Sequence, residues 1–469
     1  MNTEVTLRKR SLDITKNGST VGTEIRGGLT TFMTMAYILV VQPIIMSACG
    51  MPWGAVFTAT ALFSGLSTLM MGLYAKFPFA LAPAMGSNAI FAYSVVVSGA
   101  ADWQTALGMI FWSGIAFMIL SFPILRWMKI FGIRNEKILN FCMREAVTKN
   151  IPLGLKLGLA AAIGLFLANL GLGSSGMNIV TVSDAGISLG DLTTTNALIG
   201  VIGTIIVITC FWMKGKNFKV LGAILIGMVL ITVAAIIAGI ASMPESIVSL
   251  PSMKELGEIS FKLNLLDALK PEYWPFIFIF FLGDFFSTAG TSLACGAKAG
   301  FLDKETGDMP GIDRIFQVDS LFTVIGSLFG LSTITTYVES AAGVEEGGRT
   351  GWTAVTISIL FFIALFLSPI FLAIPPVATG MALLVVGISM MLALRDVPWD
   401  DVVEAIPVII LMIITAFSND FASALCASLI VYAVLATFRR YVLQDLKHPV
   451  TPMVYVLLVM SIAKFVVTV

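Results

Sequence analysis

Charged residues make up only 12% of this 469-residue chain, against about 25% in a soluble domain, which excludes a fold whose surface lies mostly in water. Basic and acidic residues are equal at 28 each, so no net field favours a polyanion and no nucleic-acid partner is expected. Histidine is almost missing: His448 alone precedes Pro449 in the polar stretch after Arg439 and Arg440, and reads as a loop residue. The five cysteines, Cys49, Cys142, Cys210, Cys295 and Cys426, are odd in number and scattered, with no CxxC pair. That excludes a disulfide framework and a thiolate metal site, and leaves them as small apolar packing residues. The apolar runs hold no nucleophile and base pair and no His/Cys/carboxylate cluster, so neither an enzyme nor a bound cofactor is expected. Over 1–26 the chain is polar before any apolar run begins, without a signal-peptide h-region. A cytoplasmic leader is expected there.

What the chain has in quantity is apolar sequence: 57% of residues are hydrophobic and the mean hydropathy is +0.95. A spanning helix needs about 20 apolar residues. Full-length runs lie near 28–48, 54–75, 104–125, 151–171, 195–213, 219–241, 273–295, 352–374, 377–394, 403–418 and 421–438, and a shorter one covers 316–331. Two further segments, Ala82–Val97 and Thr335–Gly351, are too short or too interrupted by glycine for ordinary spans. Counting both gives an all-α polytopic membrane protein of fourteen segments. The last stretch, Met453–Val469, contains Lys464 and reads as interfacial or packed on the bundle.

Lysine and arginine gather in short cytoplasmic connections, and fourteen segments with both termini inside place nearly all of them on that side. The connection 126–149 carries Arg126, Lys129, Arg134, Lys137, Arg144 and Lys149, whereas 172–194 carries Asp184 and Asp191 and no base. Lys214, Lys216, Lys219, Lys298, Lys304, Arg314, Arg349, Arg395, Arg439 and Arg440 also fall inside. Lys254, Lys262 and Lys270 fall outside, in the long connection 243–272, where the rule is weaker.

The stretches beginning near Glu24 and Tyr273 run in the same order: two spans, an interrupted element, then four more. Seven is odd, so the second copy enters from the opposite face and the 7+7 repeat is inverted. In the first interruption, LAPAMGSNAIFAYSVV, Pro83 removes a backbone donor and Gly86 loosens the helix before Asn88. In the second, TITTYVESAAGVEEGGRTG, Thr333, Ile334, Thr335 and Thr336 favour extended backbone ahead of Glu339. Each reads as a short extended segment feeding a half-helix. Unwound backbone at membrane depth survives only where it lines a cavity or is buried in protein, so matched breaks point to a central binding site. The alternative is close helix packing at glycine.

A carboxylate at mid-membrane costs about 2.5 kcal/mol or more, which singles out Asp284, halfway along PFIFIFFLGDFFSTAGTSLA, and Glu339. Ser287 and Thr288 follow Asp284 by three and four residues and share its helix face. An amide, Asn88, and two carboxyls suit a neutral, flat, heteroaromatic solute, since carboxylates accept from adjacent N–H donors and an amide both donates and accepts. Desolvation disfavours a charged carboxyl, so Asp284 or Glu339 can carry a proton with the substrate. The competing readings make Asp284 a partner for unwound backbone, Glu339 an orienter of the break and Asn88 an interhelical bond. Glu345, Glu346 and Arg349 belong toward the cytoplasmic end, solvated or lining a gate.

At these segments the chain resembles the adenine/guanine/hypoxanthine permease (AzgA-like) branch of the nucleobase/ascorbate transporter superfamily. The matching stretches are GGLTTFMTMAYILVVQP, FTATALFSGLSTLMMGLYAKFPFALAPAMGSNAIFAY, FFLGDFFSTAGT, KAGFLD and STITTYVESAAGVEEGGRTGWTAV, with similarity from Gly27 onward including DVPWDDVVEAIPVII. The resemblance implies a core domain (27–131 and 273–375, spans 1–4 and 8–11), a gate domain (149–242 and 376–469, spans 5–7 and 12–14), a homodimer, and short strands in the third and tenth spans. It also implies substrate contacts from Gly86, Asn88, Asp284 and Glu339. At Ser287 the family commonly has a second aspartate; Ala84, where glycine is usual, and Ser87, where an apolar residue is usual, are milder departures. The expected function is therefore import of a purine nucleobase (hypoxanthine, guanine or adenine) across the cytoplasmic membrane by proton symport through alternating access, with Na⁺ as the alternative coupling ion. A permease of the same family for another nucleobase-like solute, or an anion channel or exchanger of sulfate-permease-like architecture, are the alternatives.

Overall fold

The computed structural model describes residues 12–122, 153–173, 176–183, 186–212, 223–244, 246–251, 253–302, 309–418, 421–442, 444 and 452–467. The basic connection 126–149, Lys214, Lys216, Lys219, Lys304, Cys142 and His448 lie outside the described residues. In chain order the helices are α1 (Val21–Met35), α2 (Ile38–Ser47), α3 (Trp53–Met70), α4 (Met85–Ala89), α5 (Trp103–Ser121), α6 (Leu153–Leu172), α7 (Thr195–Trp212), α8 (Ala223–Ile237) and α9 (Met253–Ile259). There follow α10 (Trp274–Ala299), α11 (Ile312–Leu328), α12 (Ser340–Glu345), α13 (Gly351–Phe366), α14 (Ser368–Leu372), α15 (Pro376–Met391), α16 (Val402–Ser418), α17 (Phe421–Tyr441) and α18 (Pro452–Val467). Four strands accompany them: β1 (Leu81–Pro83), β2 (Val180–Ser183), β3 (Gly186–Leu189) and β4 (Ile334–Thr336).

Among the described residues, seven helical stretches are long and apolar enough to cross a membrane, and five more are apolar but shorter. The first begins at Val21, ahead of the apolar run, because Thr20 caps it: its hydroxyl accepts from the Thr23 amide. That stretch is not one rod. Ala36 and Tyr37 form a turn between α1 and α2, and Pro43 within α2 removes a further backbone donor. Cys49, Cys295 and Cys426 are buried and form no disulfide among the described residues.

Two packing groups can be distinguished. In one, α3 packs on α13, α5 on α11 and α1 on α13; in the other, α6 packs on α15 and α16, with α16 against α17. The α6–α15 crossing is glycine on glycine. A Cβ on Gly164 would sit 2.5 Å from the Gly387 carbonyl and one on Gly380 would sit 2.7 Å from that of Gly171, so only glycine permits the approach.

The interrupted segments meet. β1 and β4 pair antiparallel, Leu81 with Thr336, Ala82 with Thr335 and Pro83 with Ile334. Proline fixes φ on one strand and β-branched side chains stiffen the other, so both stay extended between helices. The amide of Ala84 donates to the Thr333 carbonyl at 2.8 Å and that of Tyr337 to Ala80 at 2.9 Å, extending the ladder at each end. Side chains complete the outer edges. Thr68 Oγ1 accepts from the Leu81 amide at 2.9 Å, Ser340 Oγ from Ala80 at 3.0 Å and Thr323 Oγ1 from Ile334 at 3.1 Å. Lipid offers no partner for such groups, so the protein supplies them. A second two-stranded sheet, β2 with β3, lies in the connection 172–194; a purely helical reading does not foresee it, although the β-branched run Ile179, Val180, Thr181 and Val182 favours extended chain.

Candidate functional site

The small β1–β4 sheet brings the chemistry of both breaks together. Asp284, on α10, is buried, and its Oδ2 accepts from the Thr323 hydroxyl of α11 at 2.8 Å. One turn earlier on α11 lies Asp319, fully buried, whose Oδ2 accepts from the Thr336 amide of β4 at 3.2 Å and from the Thr288 hydroxyl of α10. Thr288 also bonds Thr335 at 2.6 Å. Oδ1 of Asp284 and Oδ1 of Asp319 are both buried without a hydrogen-bond partner among the described residues. These are atoms that a proton or a ring N–H can occupy.

Glu339 follows β4 at the mouth of α12, half-buried, and its Oε1 accepts from the Tyr37 hydroxyl at 2.8 Å. Tyr37 stands at the α1–α2 turn, so the broken first stretch reaches the second break there. It reaches the first break through Gln42, whose Oε1 accepts from Asn88 Nδ2. Asn88 Oδ1 in turn accepts from Ser332, just before β4, and beside this chain the Thr333 hydroxyl donates to Ser87 at 2.7 Å. Among the described residues, none of Asp284, Asp319 and Glu339 forms an ion pair.

The other sequence-derived residues stand further out. Ser287 is half-buried and its hydroxyl makes no hydrogen bond among the described residues; Thr288 makes the contacts on that face of α10. Gly86 is buried where α4 meets α6, and a Cβ there would sit 2.5 Å from the Ile163 side chain. Its role in this geometry is close approach between the two packing groups. An apolar cavity between α6, α10 and α17 is lined by Leu155, Lys156, Leu159, Leu282, Phe286, Leu425 and Leu429. Leu282 precedes Asp284 by two residues, about 200° around the helix, so this cavity lies behind α10 and the carboxyl cluster is closed from it. Glu345 and Glu346 pair with Lys298 at 2.6 Å and Arg26 at 3.4 Å, tying the far end of α12 to α10 and α1.

Sequence reasoning missed Asp319, Tyr37 and Gln42. Asp319 precedes Thr323 by one turn inside a run taken as merely short and apolar, a spacing that marks a polar stripe. Gln42, directly before an in-helix proline, interrupts an apolar run much as Asp284 does. Tyr37 carried no such mark.

A family model described as the permease family (Xan_ur_permease) matches residues 22–418. A putative permease of Methanocaldococcus jannaschii, MJ0326, is 39% identical over 92% of this chain and 92% of its own. The adenine permease AdeP of Escherichia coli K12 is 35% identical over 91% of this chain and 90% of its own. The guanine/hypoxanthine permease PbuG of Bacillus subtilis is 35% identical over 96% of this chain and 97% of its own. Among solved structures, the transmembrane domain of the cyanobacterial bicarbonate transporter BicA superposes with a TM-score of 0.59 at 13% identity, covering 87% of this chain and 96% of that one. At that identity the likeness is one of fold.

Proposed function

The chain belongs to the permease family, an integral membrane transporter rather than an enzyme, and from that premise we propose that it imports purine nucleobases by proton symport through alternating access. The observation that carries the reading is the polar cluster at the β1–β4 sheet: buried carboxyls with open oxygens on one side, an amide chain on the other, and no base among them. Relatives named as adenine and as guanine/hypoxanthine permeases, similar over nearly the whole chain, support a purine as cargo.

In this reading Asp284 and Glu339 take ring N–H donors and carry the coupling proton. Asp319 shares the proton with Asp284, Asn88 orients the base, Ser287 flanks it, and Gly86 lets α4 slide against α6. Fourteen segments form a 7+7 inverted repeat, with core and gate domains rocking about the site, and the protein works as a homodimer in the cytoplasmic membrane with both termini inside.

Uptake tests it. Cells expressing the protein should accumulate labelled hypoxanthine, guanine or adenine, and more so at acidic external pH, because a proton entering with the base raises the driving force. Proteoliposomes given an imposed proton or Na⁺ gradient should accumulate the base with the proton gradient alone; a response to Na⁺ alone reassigns the coupling ion. The likeness in fold to BicA favours a second reading, an anion exchanger. Central carboxyls without a basic partner repel an anion, and a chloride or bicarbonate flux equal to purine flux would reverse that judgement.

A further inference from the structure

The cluster has unfilled positions of two kinds. At the second break they are acceptors, Oδ1 of Asp284 and of Asp319; at the first, the unfilled atom is a donor, Gln42 Nε2. Gln42 is fully buried, as is Asn88. Ser332 donates to Asn88 Oδ1, Asn88 Nδ2 donates to Gln42 Oε1, and the relay ends at the two N–H groups of Gln42 Nε2. A buried amide nitrogen without an acceptor is costly unless something fills the position. No group among the described residues fills it.

We infer that Gln42 is a specificity residue for the purine reading given above, on which this inference rests: its Nε2 donates to the exocyclic carbonyl of an oxopurine. Hypoxanthine presents a ring N–H beside a carbonyl, matching open acceptors on one side and an open donor on the other. Adenine presents an amino group in the carbonyl's place, setting donor against donor at Gln42. The site therefore selects oxopurines over aminopurines, a choice that relatives named for both kinds of base leave open.

The test is competition against labelled hypoxanthine uptake. In the unaltered protein, hypoxanthine and guanine should compete at least about ten-fold better than adenine or unsubstituted purine. Gln42→Glu keeps an acceptor for Asn88 and removes the Nε2 donors; it should shift the hypoxanthine-to-adenine ratio toward adenine by about ten-fold or more. A purely structural role for Gln42 would lower uptake of every base and leave the ratio alone, and that result overturns the inference. Equal or better competition by adenine in the unaltered protein overturns it without any variant, should Gln42→Glu fail to fold. No accumulation of any purine by the unaltered protein instead removes the purine reading beneath it.

Discussion

The first break is lined by neutral groups, Gln42, Ser87 and Asn88, whereas the second is lined by Asp284, Asp319 and Glu339. Both have the same plan of a three-residue strand followed by a short helix, and the strands lie side by side. Their chemistry differs all the same: the neutral side can only hydrogen-bond, while the acidic side can also change charge. In the proposed symport, recognition without titration falls to the first and coupling to the second. A transporter that must load a neutral base and a proton together needs one of each.

The largest effects should come from the acidic side. Asp284→Asn and Glu339→Gln should abolish accumulation, and any residual uptake should lose its dependence on external pH; normal uptake in both variants would end the division of labour. Asp319→Asn should cut uptake by roughly a hundred-fold, because it puts an N–H₂ donor where the open Oδ1 acceptor stands and leaves a side chain that takes no proton. If only Asp284 matters, Asp319→Asn will transport normally. Tyr37→Phe removes one hydrogen bond to Glu339, about 1 kcal/mol, and should lower uptake about five-fold while keeping the pH response. Gly387→Val should lower the melting temperature in detergent because its added carbons meet the Gly164 carbonyl and Ala168. The smallest change should follow Lys298→Ala: its pair with Glu345 is half exposed at both ends, 52% and 60%, which makes it worth less than about 1 kcal/mol.

The breaks could be read from the sequence because proline, glycine and a β-branched run are local signals that no partner is needed to interpret. Asp284 and Glu339 stood out for the same reason, as charges inside apolar or interrupted spans. Asp319 did not, since it falls near the start of the run 316–331, which is shorter than a full span and otherwise mostly apolar. Tyr37 and Gln42 acquire meaning only from atoms some 302 and 46 residues away, and no spacing rule spans such distances. Ser287 illustrates the converse. A shared helix face placed it beside Asp284, yet Thr288, one residue on, makes the contacts with Asp319 and Thr335.

The β1–β4 pairing also has a bearing on biosynthesis. Leu81 finds its partner in Thr336, about 250 residues later in the chain, so when the first half leaves the ribosome its strand has no mate. Until the second half arrives, the carbonyls and amides of that strand must be sheltered by water, an insertase or neighbouring helices. A fragment ending before Ile334 should remain degradation-prone in the membrane, and supplying the missing half as a separate polypeptide should rescue it.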